Sequence, residues 1–131
     1  MKNLKRFSAL FVIILLAGCQ TTKHTAATAD EAAAQLNGNW QGNFINTHGT
    51  RYPLTFQVIA QSGEITGSAD IPSSTYDKNP SITGTYAGNK VTWTTSTDFK
   101  YDMHMSKDEA GTFHLSGDVS GPNKGTIRLT R

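Results

Sequence analysis

Two histidines on neighbouring predicted strands are the side chains best suited to hold a metal ion. A hairpin centred on Glu109 would place His104 opposite His114 on the outer face of the sheet. Imidazole nitrogens bind Zn²⁺ or Cu²⁺, and Asp102 or Asp118 on the same face could add a carboxylate oxygen. The spacing predicts a candidate metal site at His104 and His114, with a pair of exposed polar side chains as the alternative.

Met103 and Met105 flank His104 but would not share a metal ion with it. Successive side chains of a strand point to opposite faces of the sheet, so both methionines would face away from the histidine. We therefore expect Met103 and Met105 to pack in the core.

The chain carries none of the common catalytic motifs. It has no nucleophile elbow, phosphate-binding loop, zinc-protease helix or cysteine cluster. Several carboxylates fall at predicted turns or on outward faces, as solvated acids usually do: Asp98, Asp102, Asp108, Glu109 and Asp118. We predict a protein that is not an enzyme and that uses no cofactor.

The only thiol of the chain, Cys19, follows an apolar segment near the start. The segment spans residues 7–17 and comes after the basic residues Lys2, Lys5 and Arg6. As a helix it would be about 16 Å long, against roughly 30 Å for the hydrocarbon core of a bilayer. A cleaved signal peptide fits this pattern better than a membrane-spanning helix.

Leu16-Ala17-Gly18-Cys19 resembles the lipobox of bacterial lipoproteins. The resemblance implies a diacylglycerol thioether on Cys19, cleavage just before it, and stable membrane anchoring by the acyl chains. Gln20 stands where an inner-membrane retention signal would have Asp, so the likeness implies the outer membrane. We predict a signal peptide (1–18), a lipidated flexible tether (19–30) and a β-barrel domain (31–131).

Cleavage after residue 18 would change the charge of the protein. The whole chain has 12 basic and 10 acidic residues and a formal charge of +2, and losing Lys2, Lys5 and Arg6 lowers that charge to −1. This balance offers no electrostatic support for a nucleic-acid partner. We expect a monomer whose partners are the membrane, through its anchor, and a protein or envelope component.

Beyond a short helix predicted over 30–36, the pattern of apolar residues alternates with a period of two. It predicts an all-β domain of eight antiparallel strands, closed as an up-and-down meander barrel of lipocalin-like form, with an open sandwich as the alternative. The aromatic residues and methionines would mostly fill its interior: Trp40, Phe44, Phe56, Trp93, Tyr101, Phe113, Met103 and Met105. The strands are expected at 39–46, 52–61, 64–71, 81–87, 90–96, 100–107, 111–120 and 126–131.

The turn residues predict how these strands pair. Ser62-Gly63 and Gly88-Asn89 are typical two-residue hairpin turns. Gly42, Gly84 and Gly117 would each face an aromatic ring across the sheet, which helps a sheet to curve. The predicted pairs are Val58–Gly67, Ala60–Ile65, Gly84–Trp93, Tyr86–Val91, Phe44–Leu54, Gly42–Phe56, Met105–Phe113, Tyr101–Gly117, Lys100–Asp118, Val119–Ile127 and Gly117–Leu129.

An up-and-down barrel separates its loops into two ends. The longer ones, near 47–51, 72–80, 97–99 and 121–125, would lie at the end opposite the helix and the tether, with tight turns at 62–63, 88–89 and 108–110 at the other. Because binding residues favour loops on a rigid scaffold, we predict the site at the long-loop end. The candidates are His48, Arg51, Tyr76, Lys78 and Lys124, above a shallow pocket near Phe44, Leu54, Ile82 and Tyr101.

Two family resemblances bear on the function of the barrel. Gly38-Asn39-Trp40, Ile82 to Tyr86 and Val91-Thr92-Trp93 resemble strands of avidin and other lipocalin-like barrels, without counterparts of the residues that hold biotin. Residues 32–40 resemble the entry to periplasmic inhibitors of secreted metalloproteases, in which the segment before the helix plugs the protease. The cysteine pair of that family is missing here.

Three functions remain open at this point. The first is a non-enzymatic module that binds a protein or envelope component through the long loops. The second is an inhibitor of a secreted protease or lysozyme, since lysozyme-inhibiting lipoproteins share the size and the predicted location. The third is a carrier of a small apolar ligand or lipid.

Overall fold

The computed structural model describes residues 31–131 as a closed barrel. Each strand pairs antiparallel with the next, and β8 returns to pair with β1. The predicted eight-stranded up-and-down barrel with a short N-terminal helix is confirmed, and the open sandwich is wrong. A helix, α1 (31–36), precedes β1 (Gly38–Asn46), β2 (Arg51–Gln61), β3 (Glu64–Asp70), β4 (Ser81–Ala87), β5 (Lys90–Thr95), β6 (Lys100–Lys107), β7 (Phe113–Ser120) and β8 (Gly125–Thr130).

Several predictions fall outside the described residues. These are the signal peptide (1–18), the lipidated Cys19 and the tether up to residue 30. Within residues 31–131, no helix has the length and apolar character needed to cross a membrane.

Alternate residues of the strands fill the barrel. On β2, for example, Leu54, Phe56, Val58 and Ala60 are buried, and the residues between them are not. Phe44 and Phe113 are only partly buried and pack against the core. The other side chains predicted to point inward are buried: Trp40, Phe56, Trp93, Tyr101, Met103 and Met105.

The two-residue turns set the register as predicted. Ser62 and Gly63 both have positive φ, 53° and 82°, as a type I′ turn requires, and Gly88 has a φ of 59°. The observed pairs match the predicted ones: Val58–Gly67, Ala60–Ile65, Gly84–Trp93 and Tyr86–Val91.

The three predicted hairpins with longer loops are wrong by two residues. The observed partners include Phe44–Tyr52, Gly42–Leu54, Met105–Leu115, Tyr101–Val119, Lys100–Ser120, Val119–Gly125 and Gly117–Ile127. A shift of two leaves every side chain on its predicted face, so the alternation of apolar and polar residues does not distinguish the two registers. Of the three glycines expected to face an aromatic ring, only Gly84 does so, opposite Trp93.

Side-chain hydrogen bonds within the loops explain two of these shifts. The Asn46 Oδ1 atom accepts the backbone amides of His48 and Thr50, both at 2.9 Å, and the Asn46 amide donates to the Thr50 carbonyl at 3.0 Å. Asp108 makes the same three bonds with Ala110 and Thr112. These bonds pair Asn46 with Thr50 and Asp108 with Thr112. The turn predicted at 108–110 is therefore a five-residue loop, 108–112.

A glycine explains the third shift. Gly125 was placed in the last loop, but it is the first residue of β8 and pairs with both Val119 and Asn46. A Cβ atom there would overlap the carbonyl oxygen of Ile45. The absence of a side chain lets the strands approach closely, so the ladder continues through Gly125 and the loop shortens.

The short helix α1 lies across the tight-turn end of the barrel. The last four carbonyls of a helix lack partners within it, and here one strand residue and two residues next to strands donate hydrogen bonds to them. The Trp40 Nε1 atom donates to Leu36 at 2.8 Å, Asn37 Nδ2 donates to Ala33 at 2.7 Å, and Arg131 Nη1 donates to the carbonyls of residues 34 and 35. Leu36 is fully buried, so it joins α1 to the core.

Candidate functional site

The long-loop end of the barrel contains a cavity of about 140 Å³. Of the predicted pocket residues, Phe44, Leu54 and Tyr101 line it and Ile82 does not. Tyr76, predicted on the loop above, also lines it. The full lining consists of Phe44, Tyr52, Leu54, Ile71, Ser73, Ser74, Thr75, Tyr76, Thr97, Phe99, Tyr101 and Asn123.

Phe44 and Tyr52 form one wall of this cavity. They are direct partners in the β1–β2 register, and their rings stack with centroids 5.9 Å apart and 27° between planes. Asn46 donates from its Nδ2 atom to the Tyr52 hydroxyl at 3.4 Å. The loop that corrects the register therefore also places Tyr52 beside Phe44, which explains why Tyr52 was missed.

Tyr76 and Phe99 form the opposite wall from two different loops. Their rings meet edge to face, with centroids 5.6 Å apart and 78° between planes. In the β3–β4 loop the Ile71 amide donates to the Lys78 carbonyl at 2.8 Å, and the Tyr76 amide donates to Ser74 Oγ at 2.9 Å. These bonds hold a ten-residue connection in a defined shape and bring Tyr76 over the cavity.

A turn at the end of β5 positions Phe99. The Thr95 amide donates to the Phe99 carbonyl at 2.9 Å, and the Phe99 amide donates to Thr95 Oγ1 at 3.1 Å. Asp98 adopts a φ of 68°. In the Asn46 and Asp108 loops the corresponding positive φ belongs to a glycine, Gly49 or Gly111. Phe99 was not predicted, although an aromatic residue directly before a strand at the long-loop end is the signal that could have identified it.

Tyr101 and Leu54 are the buried residues of the cavity lining. Tyr101 is only 2% exposed and packs against Phe56 edge to face at 5.3 Å and against Trp93 at 6.1 Å. Burial raises the pKa of Tyr101 to about 12, so its hydroxyl is neutral at physiological pH. The cavity thus has an apolar base with one neutral hydroxyl.

The lysines, the arginine and the histidine predicted for the site lie outside the cavity lining. His48, Lys78 and Lys124 are exposed on the loops of the long-loop end, and Arg51 is exposed at the start of β2. The loops that hold them are therefore placed as expected, but the side chains that converge there are aromatic and uncharged.

The register correction separates the two histidines of the predicted metal site. His104 faces Ser116, and His114 faces Ser106. The His114 Nε2 atom instead lies 2.8 Å from the Asp108 Oδ2 atom. Among residues 31–131, no three His, Cys, Asp or Glu side chains are grouped so that they could hold a metal ion. The cross-strand pair predicted at His104 and His114 is wrong.

The predicted charge pair between Lys100 and Asp118 is also wrong. Asp118 faces Asp102 on the outer surface, and Lys100 faces Ser120. Such exposed cross-strand pairs contribute only about 0.2–1 kcal/mol. The hydrogen bonds of the Asp108 turn therefore outweigh the charge pairing that the sequence suggested.

The Asp108 turn makes the stability of the barrel depend on pH. The hydrogen bond from His114 lowers the pKa of Asp108 below its usual 3.8, and the amides of Thr112 and Ala110 lower it further. Because the folded pKa is the lower one, the stabilisation is present above pH 3.8 and is lost as the pH falls through the folded value.

We expect Asp108→Asn to remove this pH dependence and to keep the turn, since Asn46 makes the same backbone bonds with an amide oxygen. Urea midpoints of the two proteins should differ near neutral pH, with the native chain more stable, and should converge well below pH 3.8. The reciprocal variant Asn46→Asp should gain a pH dependence of the same sign, because the amides of His48 and Thr50 would lower the pKa of the new carboxylate. A difference between the native chain and Asp108→Asn that is constant with pH would contradict the assignment.

A wider groove lies at the opposite end, between α1 and the turns at 62–63 and 88–89. Its lining includes Glu31, the first described residue, and Tyr86, Asn89 and Met105. The chain enters the barrel beside this groove, whereas the aromatic cavity opens at the far end.

Known structures resemble the barrel, although the chain matches no protein-family model and a search of curated proteins gives no match. A redesigned β-barrel is 21% identical, with a TM-score of 0.55, covering 76% of this chain and 94% of that one. A de novo designed fluorescence-activating β-barrel is 14% identical, with a TM-score of 0.55 and coverages of 76% and 95%.

A third solved structure is a redesigned β-barrel bound to DFHBI. It is 18% identical, with a TM-score of 0.50, and the match covers 76% of this chain and 98% of that one. At these identities the likeness concerns the fold. The described part of the chain is a small eight-stranded antiparallel barrel that resembles the lipocalin- and avidin-like folds.

Proposed function

We propose that this chain is a non-enzymatic binding protein, anchored in the cell outer membrane through a lipid on Cys19, that binds a protein or envelope component through its long-loop end. The aromatic cavity at that end carries the proposal. Apolar pockets with a few polar groups are the usual form of a binding site in a barrel mouth. That a redesigned barrel of similar fold binds DFHBI supports a binding role for such a scaffold.

The side on which the chain enters the barrel determines which end an anchor at Cys19 would hold near the membrane. Cys19 precedes α1, and α1 packs on the tight-turn end through the bonds of Trp40 and Arg131. A lipid on Cys19 would hold that end towards the membrane. The cavity would then face away from the membrane, where a partner can reach it.

The size of the cavity favours a partner over a carried lipid. Pockets for small ligands usually measure about 300–1,000 Å³, whereas this one measures about 140 Å³. The interior below it is filled by Phe56, Trp93 and Tyr101. A lipid chain has no room to enter this cavity, but a single protruding group of a larger partner does.

Photo-crosslinking tests which end of the barrel binds. A photo-reactive phenylalanine analogue replaces either Tyr76 at the long-loop end or Asn89 at the tight-turn end, in cells that normally make the protein. We expect a discrete adduct from position 76 that is competed by soluble barrel, and none from position 89. An adduct from position 89 alone would refute the proposed orientation.

Replacement of the cysteine tests the anchor separately. Cys19→Ala should abolish lipidation and leave the precursor uncleaved by the lipoprotein pathway. Mass spectrometry of the membrane fraction measures both effects. The substitution Ser8→Ala, in the predicted signal peptide, serves as the control and should leave processing unchanged. A Cys19→Ala protein that still reaches the membrane at the mature mass would overturn the anchoring proposal.

A further inference from the structure

We infer that the cavity at the long-loop end binds a single uncharged aromatic ring of about the size of a phenol. This inference rests on the proposed function and narrows it to one ligand chemistry. The ring belongs either to a side chain of the partner or to a free small molecule.

The volume of the cavity limits the ligand to about one ring. An apolar cavity of about 150 Å³ holds one benzene molecule, and this cavity measures about 140 Å³. Leu54 and Tyr101, 4% and 2% exposed, close the cavity at its base. A second fused ring or a long alkyl chain would have to remain outside, in the opening between the loops.

The two walls favour an aromatic ring over an aliphatic group of the same size. Phe44 stacks on Tyr52, and Tyr76 meets Phe99 edge to face, so each wall already presents ring faces and edges. Aromatic rings gain from stacked and edge-to-face contacts beyond the area that they bury. An aromatic ligand inserted between the walls could make such contacts on both sides. An aliphatic ring would bury the same area without them.

The absence of charged side chains in the lining favours an uncharged ligand over an anion. Among residues 31–131, those that line the cavity are aromatic, aliphatic, hydroxyl or amide side chains. A buried anion would have no cation to pair with, because Arg51, Lys78 and Lys124 lie outside the lining. Ring faces attract cations, but the described lining holds no carboxylate to neutralise one, so we expect a cation to bind more weakly than an uncharged ring. The neutral Tyr101 hydroxyl and the Asn123 amide suit a polar substituent such as a phenolic hydroxyl.

Four probes of similar size test this inference on the chain from residue 20, which keeps every described residue. They are p-cresol, cyclohexanol, tetramethylammonium and benzoate, and amide NMR shifts report the binding. We expect p-cresol to produce saturable shifts around Phe99 and Tyr101. Its dissociation constant should be at least fivefold lower than that of cyclohexanol. Benzoate should produce no saturable shift there, and tetramethylammonium, which ring faces attract, should bind more weakly than p-cresol.

Three variants locate the site of binding. Tyr76→Ala removes part of one wall and should weaken p-cresol binding about three- to tenfold. Leu54→Trp should fill the cavity and abolish binding. If Leu54→Trp does not fold, Tyr76→Ala still tests the site, because Tyr76 is 46% exposed and its replacement leaves the core intact. Ile59→Ala is the control. Ile59 lies on β2 like Leu54, but on its outer face and 58% exposed, so this variant should bind p-cresol as the native chain does.

Several outcomes would overturn the inference: no saturable shift with p-cresol, equal affinity for cyclohexanol or either ion, or shifts confined to the turns at 62–63 and 88–89. If p-cresol fails while the position-76 adduct persists, the ring inference is wrong and the binding function stands. Competition of that adduct by p-cresol identifies a ring on a partner protein. An aromatic compound released from protein purified from cells identifies a free ligand.

Discussion

The substitution Gly42→Ala is expected to lower the free energy of unfolding by about 3 kcal/mol or more. Gly42 lies on β1 at the seam where β8 closes the barrel, opposite Leu129. A Cβ atom there would overlap the carbonyl oxygen of Arg128 and lie 2.9 Å from the Leu129 Cα atom. Both neighbours are backbone atoms, so the two strands must move apart and lose ladder hydrogen bonds.

Gly49→Ala is the matched control for this prediction. Gly49 has a φ of 84°, and a Cβ atom there would meet nothing within 4 Å. Its replacement should cost only the conformational term of a left-handed residue, about 1–2 kcal/mol. Urea unfolding at equilibrium measures both variants. A Gly42→Ala protein as stable as Gly49→Ala would show that the seam tolerates the side chain and that close approach of β1 and β8 is not needed.

The substitution Trp40→Phe is expected to destabilise the protein by about 1–3 kcal/mol more than Trp93→Phe. Both tryptophans are fully buried, so the loss of ring volume is similar. The Trp40 Nε1 atom donates to the Leu36 carbonyl at 2.8 Å. The Trp93 Nε1 atom is buried and has no hydrogen-bond partner among the described residues.

The difference between the two tryptophans isolates the contact between α1 and the barrel. Trp40→Phe leaves the final carbonyl of the helix without this donor, whereas Trp93→Phe removes a polar group that was already unpaired. Thermal and urea unfolding of the two single variants and the double variant measure the difference. Equal losses from both substitutions would mean that the Leu36 bond contributes no net stability.

Much of the fold could be predicted because its signals are local. The turns Ser62-Gly63 and Gly88-Asn89 impose a backbone geometry that few residues allow, so their hairpins were predicted in the correct register. The buried positions were also largely predictable, since strand residues alternate between faces. The aromatic residues Phe44 and Tyr101 were placed inside the barrel for that reason.

The errors share one physical cause. Moving a hairpin by two residues keeps each side chain on its face, so the burial pattern is nearly the same in both registers. The choice then depends on a few hydrogen bonds in the loop, such as those from Asn46 and Asp108. Those two residues sit in similar segments, Asn46-Thr47-His48-Gly49-Thr50 and Asp108-Glu109-Ala110-Gly111-Thr112, which could have revealed a common turn.

The candidate site was predictable in its position but only partly in its residues. Its place at the long-loop end follows from the order of the strands, because successive connections of a meander alternate between the two ends. The polar residues His48, Arg51, Lys78 and Lys124 at the long-loop end were favoured for their chemistry, yet the cavity is lined by Tyr52, Tyr76 and Phe99. The last two belong to loops that are far apart in the chain.

The sequence by itself determined the strand pattern, the two-residue turns and the inward positions of the large apolar residues, whereas the lipid anchor at Cys19 stays a prediction. Each depends on neighbours within a few residues, which a single chain displays directly. Only the tertiary structure decided which side chains meet: Tyr76 against Phe99, and His114 beside Asp108 rather than across from His104. These contacts depend on closing the barrel and on loop hydrogen bonds, which alternating hydrophobicity does not encode.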